Sequence, residues 1–85
     1  MLITFSENAW EDYLYWQSID RKILKKINSL LKDIQRNPFE GIGKPESLKY
    51  DLAGYWSRRI SQEHRLVYKI DNQNIVVIAC RYHYD

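Results

Sequence analysis

Six polar residues in the second half of the chain have types that can act together on a phosphodiester: Glu46, Lys49, Arg59, Arg65, His83 and Tyr84. Glu46 ends a loop rich in Gly and Pro, and Lys49 follows three residues later. Arg59 and Arg65 fall in two strand-like runs joined by a short hairpin, while His83 and Tyr84 are carried at the end of the last strand. If that strand lies beside the one bearing Arg65, a carboxylate, several cations and an imidazole come within side-chain reach. Such a set can cleave RNA without a metal. A base removes the proton of a 2′-hydroxyl, cations stabilise the pentacoordinate phosphorane, and an acid protonates the departing 5′-oxygen. Tyr and Trp rings nearby can stack an exposed base.

Each of these residues also has a plainer role. Glu46 can be a solvent-facing acid worth little to stability. Arg58, Arg59 and Arg65 can serve as cross-strand partners for Glu63 and Asp71. His83 can sit in a frayed terminus. Tyr50, Tyr55, Tyr68 and Tyr82 are expected as half-buried packing residues rather than stacking platforms. Spacing alone does not decide between these roles and the nuclease chemistry. Metal chemistry is not expected: His64, Cys80 and His83 lack the tight spacing of a zinc site, and Cys80 continues an apolar strand as a small buried hydrophobe. Gly41-Ile-Gly43 lacks the length and the Lys-Ser/Thr of a phosphate loop, so no nucleotide cofactor is expected either.

The elements that must position the six residues can be read from periodicity. Ser6 is placed to cap a first helix whose apolar residues Trp10, Tyr13 and Leu14 recur at three- and four-residue spacing, with Trp16 near its end. Asp20 is placed to cap a second. There Ile23, Leu24, Ile27, Leu30, Leu31 and Ile34 form one stripe of period 3.6. Lys22, Lys25, Lys26 and Lys32 fall largely off that stripe, on what reads as a solvated face. Pro38 ends this helix and opens a loop that runs to Glu46. Alternation then predicts strands over 55–60 and 64–70, with Arg65, Val67 and Lys69 sharing a face. Asp71-Asn-Gln-Asn74 reads as a hairpin turn, Ile75 to Cys80 as a central strand covered on both faces, and Leu2 to Phe5 as a further strand. The order β-α-α-β-β-β predicts an α+β fold, with two N-terminal helices packed on one face of a mainly antiparallel twisted sheet. The other face is left to carry the site.

Length and composition bound the rest. Eighty-five residues are expected to form a single domain over 1–85, burying about 60–65 % of the unfolded surface. With 45 % hydrophobic and 14 % aromatic residues, the chain carries enough bulk to exclude intrinsic disorder. One cysteine excludes an internal disulfide. The longest apolar run falls far short of the ~20 residues of a membrane helix, and acid comes too early for a signal-peptide core. A cytoplasmic, soluble chain with no membrane association is expected. A net charge of +2 does not by itself point to nucleic acid, so any phosphate-binding charge must be concentrated locally.

Five ordered blocks carry a resemblance: Trp-Glu-Asp-Tyr-Leu-Tyr-Trp at Trp10–Trp16, Pro-Phe-Glu-Gly-Ile-Gly-Lys-Pro-Glu-Ser-Leu-Lys at Pro38–Lys49, Gly-Tyr-Trp-Ser-Arg-Arg-Ile from Gly54, Glu-His-Arg-Leu-Val-Tyr from Glu63, and Cys-Arg-Tyr-His-Tyr from Cys80. Over nearly the whole chain this resembles the YoeB (Txe) toxins of bacterial type II toxin–antitoxin systems, within the RelE/ParE superfamily. The resemblance implies a RelE-like, microbial-ribonuclease-like fold. It implies a ribosome-dependent endoribonuclease, an mRNA interferase that cuts messenger RNA in the ribosomal A site and so inhibits translation. It also implies an antitoxin partner of the YefM (Axe) kind, whose C-terminal segment wraps the toxin; a homodimer stays open. Carried across, Glu46 takes the general-base place and His83 the general-acid place. Arg65 and Arg59 bind and neutralise the scissile phosphate, Lys49 adds a cation, and Tyr84 helps to build the site. Asp85 follows the tyrosine with which the best-known form of the pattern ends. A carboxylate with an ordinary pKa of ~4.3 is a weak base, so the residue types leave the base role open between Glu46 and His83. Two other classes remain beside the enzyme: a non-enzymatic ParE-like toxin acting on gyrase, and an RNA- or ribosome-binding module that needs no Glu46.

Overall fold

In a computed structural model that describes residues 1–82, the chain runs β1 (Ile3–Phe5), α1 (Glu7–Ile19), α2 (Arg21–Arg36), β2 (Glu46–Ser47), a 3₁₀ turn at Tyr50–Leu52, β3 (Trp56–Arg59), β4 (Arg65–Asp71) and β5 (Asn74–Ala79). The caps are where the sequence puts them. Ser6 Oγ accepts the Ala9 N–H at 3.1 Å, and Asp20 accepts from Lys22 and Ile23 at 3.0 and 3.3 Å. Asp20 also gives its own N–H to the Trp16 carbonyl, so one residue closes α1 and opens α2. No helix among the described residues is long and apolar enough to cross a membrane.

The stripe on α2 is the centre of the core. Ile27, Leu30, Leu31 and Ile34 are buried, with Ile23 and Leu24 packed at its margin. Each such side chain contributes on the order of 1.5–3 kcal/mol by leaving water. Against it lie Leu66 and Tyr68 of β4 and Ile75 and Val77 of β5. The face expected for α1 is buried only in part: Trp16 lies in the core and Tyr13 packs against it, but Trp10 and Leu14 do not. Ala9 and Trp16 point into the core, whereas Trp10 is 49 % exposed and Leu14 also faces outward. Trp10 instead stacks on Tyr13 at the surface, 5.8 Å between centroids, with Phe5 edge-on to both. A small alanine at position 9 allows the helix to approach the sheet closely.

The sheet has the order β1-β5-β4-β3-β2. β1 and β5 are parallel, and the other three pairings are antiparallel. The 71–74 hairpin closes with Asn72 and Gln73 both at positive φ, the two-residue turn whose twist suits adjoining strands. Two expectations need correction. β5 is not covered on both faces: Ile75 and Val77 are buried, while Val76 and Ile78 are half-buried, because both helices lie on one side only. And the loop after Pro38 does not run through Glu46. Residues 46–47 form an edge strand, Glu46 opposite Ser57 and Ser47 opposite Trp56.

Candidate functional site

The face of the sheet turned away from the helices gathers the charges. Directly paired antiparallel residues share a face, and so do residues two apart on a strand. Glu46 pairs with Ser57, Ser57 with Val67, and Arg59 with Arg65. Glu46, Arg59 and Arg65 therefore project from one surface, with the buried Ser57 and Val67 among them. With strands ~4.8 Å apart and a rise of ~3.4 Å per residue, the Glu46 and Arg65 backbones stand about 12 Å apart. Their side chains can reach a phosphodiester between them. Arg65 is anchored at one corner of its guanidinium: Nη1 donates to the carbonyls of Ser61, Gln62 and His64 at 2.7, 3.2 and 3.1 Å. Neither Arg59 nor Arg65 pairs with Glu63 or Asp71.

Arg58 points the other way and is fully buried. Among the described residues it makes the one ion pair, to Asp33 of α2 at 2.5 Å, and not to Glu63 or Asp71, the cross-strand partners of its plainer role. Its guanidinium also donates to the carbonyls of Asn37, Glu40 and Ile42 at 2.7, 3.0 and 3.2 Å. Tyr68 Oη closes the clamp by donating to the Pro38 carbonyl at 2.6 Å. A forked donor satisfies three loop carbonyls that would otherwise be orphaned, and so fixes the segment that delivers Glu46 to the sheet edge. The Arg58 hydrogen bond holds the Asp33 carboxyl below its ordinary range, helped by the Ile42 N–H. Gly41, at φ +131°, is required here because a Cβ would collide with the Asp33 carboxylate.

After β5 the chain is tied down at Cys80 and at Tyr82. The Cys80 N–H donates to Asp12 at 3.0 Å, and the Cys80 carbonyl accepts from Trp16 Nε1 at 2.8 Å. The Tyr82 N–H donates to His64 Nδ1 at 2.7 Å, and the Tyr82 carbonyl accepts from the Arg65 N–H at 3.0 Å. Tyr82 is thus held beside Arg65. His83, Tyr84 and Asp85 lie outside the described residues. Cys80 is a buried hydrophobe as expected, its thiol pushed up to about 12 by burial and by the nearby Asp12. Burial raises the Asp12 carboxyl above its ordinary value, partly offset by the Cys80 N–H.

Lys49 is exposed on the turn that follows β2 and lines, with Glu46 and Tyr50, a cavity of about 480 Å³. The rings divide differently from expectation. Tyr68 is wholly buried and Tyr55 half-buried under Lys69 Nζ, but Tyr50 is 93 % and Tyr82 61 % exposed. Both sit at positive φ, 58° and 69°, where their side chains are turned out of the packing. Sequence reasoning missed Asp12, Trp16 and Asp33 as anchors, since their partners Cys80 and Arg58 lie 25 or more residues away. The one available signal was their type: an acid and an indole N–H on helix faces need partners when buried.

A model of the YoeB-like toxin family of bacterial type II toxin–antitoxin systems matches residues 5–84. Toxin YoeB of Escherichia coli K12 is 58 % identical over 84 residues, covering 99 % of this chain and 100 % of that one. A YoeB/ParE toxin structure from Agrobacterium tumefaciens superposes with a TM-score of 0.97 at 49 % identity, covering 99 % and 100 % of the two chains. The Staphylococcus aureus YoeB has been solved as a dimer (TM-score 0.93, 59 % identity, 99 % and 98 % covered) and in complex with YefM (0.92, 58 %, 99 % of both).

Proposed function

Since the chain belongs to the YoeB family of toxins from bacterial type II toxin–antitoxin systems, we propose that it is a ribosome-dependent endoribonuclease. It cuts messenger RNA in the A site by metal-free acid–base catalysis. The observation that carries this is the facing pair Arg59 and Arg65, set on one surface with Glu46. Two like charges opposed across strands destabilise a sheet unless an anion lies between them. A scissile phosphate is such an anion.

Glu46, as the base, takes the proton of the 2′-hydroxyl. The freed oxygen attacks phosphorus, and the charge that develops on the phosphorane is met by Arg65 and Arg59, with Lys49 as a further cation at the entrance. His83 protonates the 5′-oxygen as its bond to phosphorus breaks, leaving a 2′,3′-cyclic phosphate and a 5′-hydroxyl. Tyr84 helps to build the site. As a base, Glu46 acts best once the ribosome and messenger have displaced water from the groove.

The partner follows from the family. A YefM-like antitoxin is the inhibitor, in keeping with the YoeB–YefM complex from S. aureus, and a homodimer in keeping with the S. aureus dimer. The chain acts as a single domain in the cytoplasm, where its substrate is. Adding the purified protein to translating ribosomes and mapping messenger ends is the test. Cuts within the A-site codon, ending in cyclic phosphate, support the enzyme. Stalled translation over intact messenger would instead support a binding module.

A further inference from the structure

We propose that His64, which the mechanism above does not use, is a positioning residue for the C-terminal catalytic segment. The inference rests on His83 as the general acid. His64 stands at the start of β4 with its backbone locked in the hairpin: its N–H donates to Ser61 Oγ at 3.2 Å, and its carbonyl accepts from the Ile60 N–H at 3.0 Å. Its ring is held edge-on against the buried Trp16, 4.7 Å between centroids and 75° between planes. That leaves Nδ1 aimed at the Tyr82 N–H, 2.7 Å away. An Nδ1 that accepts must be unprotonated, so the neutral ring carries its hydrogen on Nε2.

What this bond secures is a backbone geometry that needs securing. Tyr82 sits at φ +69°, which a bulky side chain seldom adopts. Two bonds hold it there: one to the side chain of His64, one from the backbone of Arg65. Residues 64 and 65 together thus fix both polar groups of the residue that immediately precedes His83 in the chain. Catalytic geometry tolerates little error, and a displacement of about 1 Å can cost ~10²-fold in rate.

Three variants test this in single-turnover cleavage of ribosome-bound messenger, with ribosome affinity measured alongside. His64→Leu keeps bulk against Trp16 and removes the acceptor. His64→Asn places an amide oxygen near the Nδ1 position, and His64→Gln places it one bond too far. The expected result is a fall of roughly 10–10²-fold in rate for Leu and Gln, near-normal rate for Asn, and affinity within about twofold throughout. Combined with His83→Gln, the leucine change should cost nothing further, because the group it positions has gone. Equal rates for Asn and Gln would overturn the proposal even if the leucine variant failed to fold. So would full additivity with His83→Gln. Wild-type cleavage by His83→Gln itself would overturn the acid assignment and this proposal with it. A wild-type rate for His64→Leu and Gln beside a crippled His83→Gln would overturn this proposal alone.

Discussion

Arg59 and Arg65 face each other directly across β3 and β4, on the side of the sheet that no helix covers. Opposed like charges cost the fold a few tenths of a kcal/mol to about 1 kcal/mol, and among the described residues no acid pairs with either arginine. Arg59→Ala should therefore leave thermal stability unchanged or raise it, while lowering cleavage. Arg65→Ala should lower cleavage by on the order of 10²–10³, as the loss of a transition-state charge contact does. Thermal melts beside cleavage rates check both. A large loss of stability in Arg59→Ala would show that the pair is structural.

The Asp33–Arg58 pair makes acid stability predictable. The Asp33 carboxyl is held below its ordinary 3.8 by the Arg58 hydrogen bond, so the folded state binds that proton less tightly than the unfolded chain. Its stabilisation is then fully present above pH ~4 and is lost as pH falls further, towards the folded pKa. Asp12 works with the opposite sign: its carboxyl is raised by burial, so its contribution grows as pH falls through that raised value. Melting temperatures of wild type and Asp33→Asn should differ at pH 7 and converge near pH 2. Parallel curves over the whole range would contradict the pairing. Arg58→Met, which abandons three loop carbonyls as well, should lower the melting temperature at pH 7 further than Asp33→Asn does.

How much of this was legible depended on whether a residue's partner was local. The α2 stripe and both helix caps were plain because their signals lie within a turn or two of each other. The placement of Arg65, Val67 and Lys69 on one face followed from alternation alone. The buried face of α1 was legible at Tyr13 and Trp16 but not at Ala9, since Trp10 outranks Ala9 in hydrophobicity but not in fit. Glu46 was singled out by type, yet its strand was hidden: two residues after a Gly/Pro loop have no period. For Arg58 the sequence offered only cross-strand acids as partners, because its true partner lies 25 residues away on a helix. His64 stood out only as a possible metal ligand, and its actual bond is to a backbone N–H that no pattern announces.

Cys80 should be inert in the folded protein. A fully buried thiol pushed up to about 12 is ionised only to ~10⁻⁴ at pH 8, and the thiolate is the nucleophile. A disulfide reagent should react at least ~10²-fold more slowly than in denaturant. Rapid titration of one thiol in native buffer would contradict the burial.

Free RNA should be a poor substrate. A net charge of +2 gives little hold on a polyanion whose binding weakens with salt at a slope of about −0.7 per phosphate neutralised. On the proposed mechanism, orientation by the ribosome supplies much of the rate. At physiological salt, naked messenger should be cut at least ~10²-fold more slowly than the same sequence on ribosomes. Equal rates would remove the ribosome from the mechanism.

The most direct test of the enzyme itself is Glu46→Gln. Glu46 is exposed on a two-residue edge strand and makes no ion pair among the described residues, so the change removes a carboxylate and little else. Single-turnover cleavage of ribosome-bound messenger should fall by roughly 10²–10⁴, with ribosome affinity and melting temperature unchanged. Cleavage at the wild-type rate would show that Glu46 is not the base.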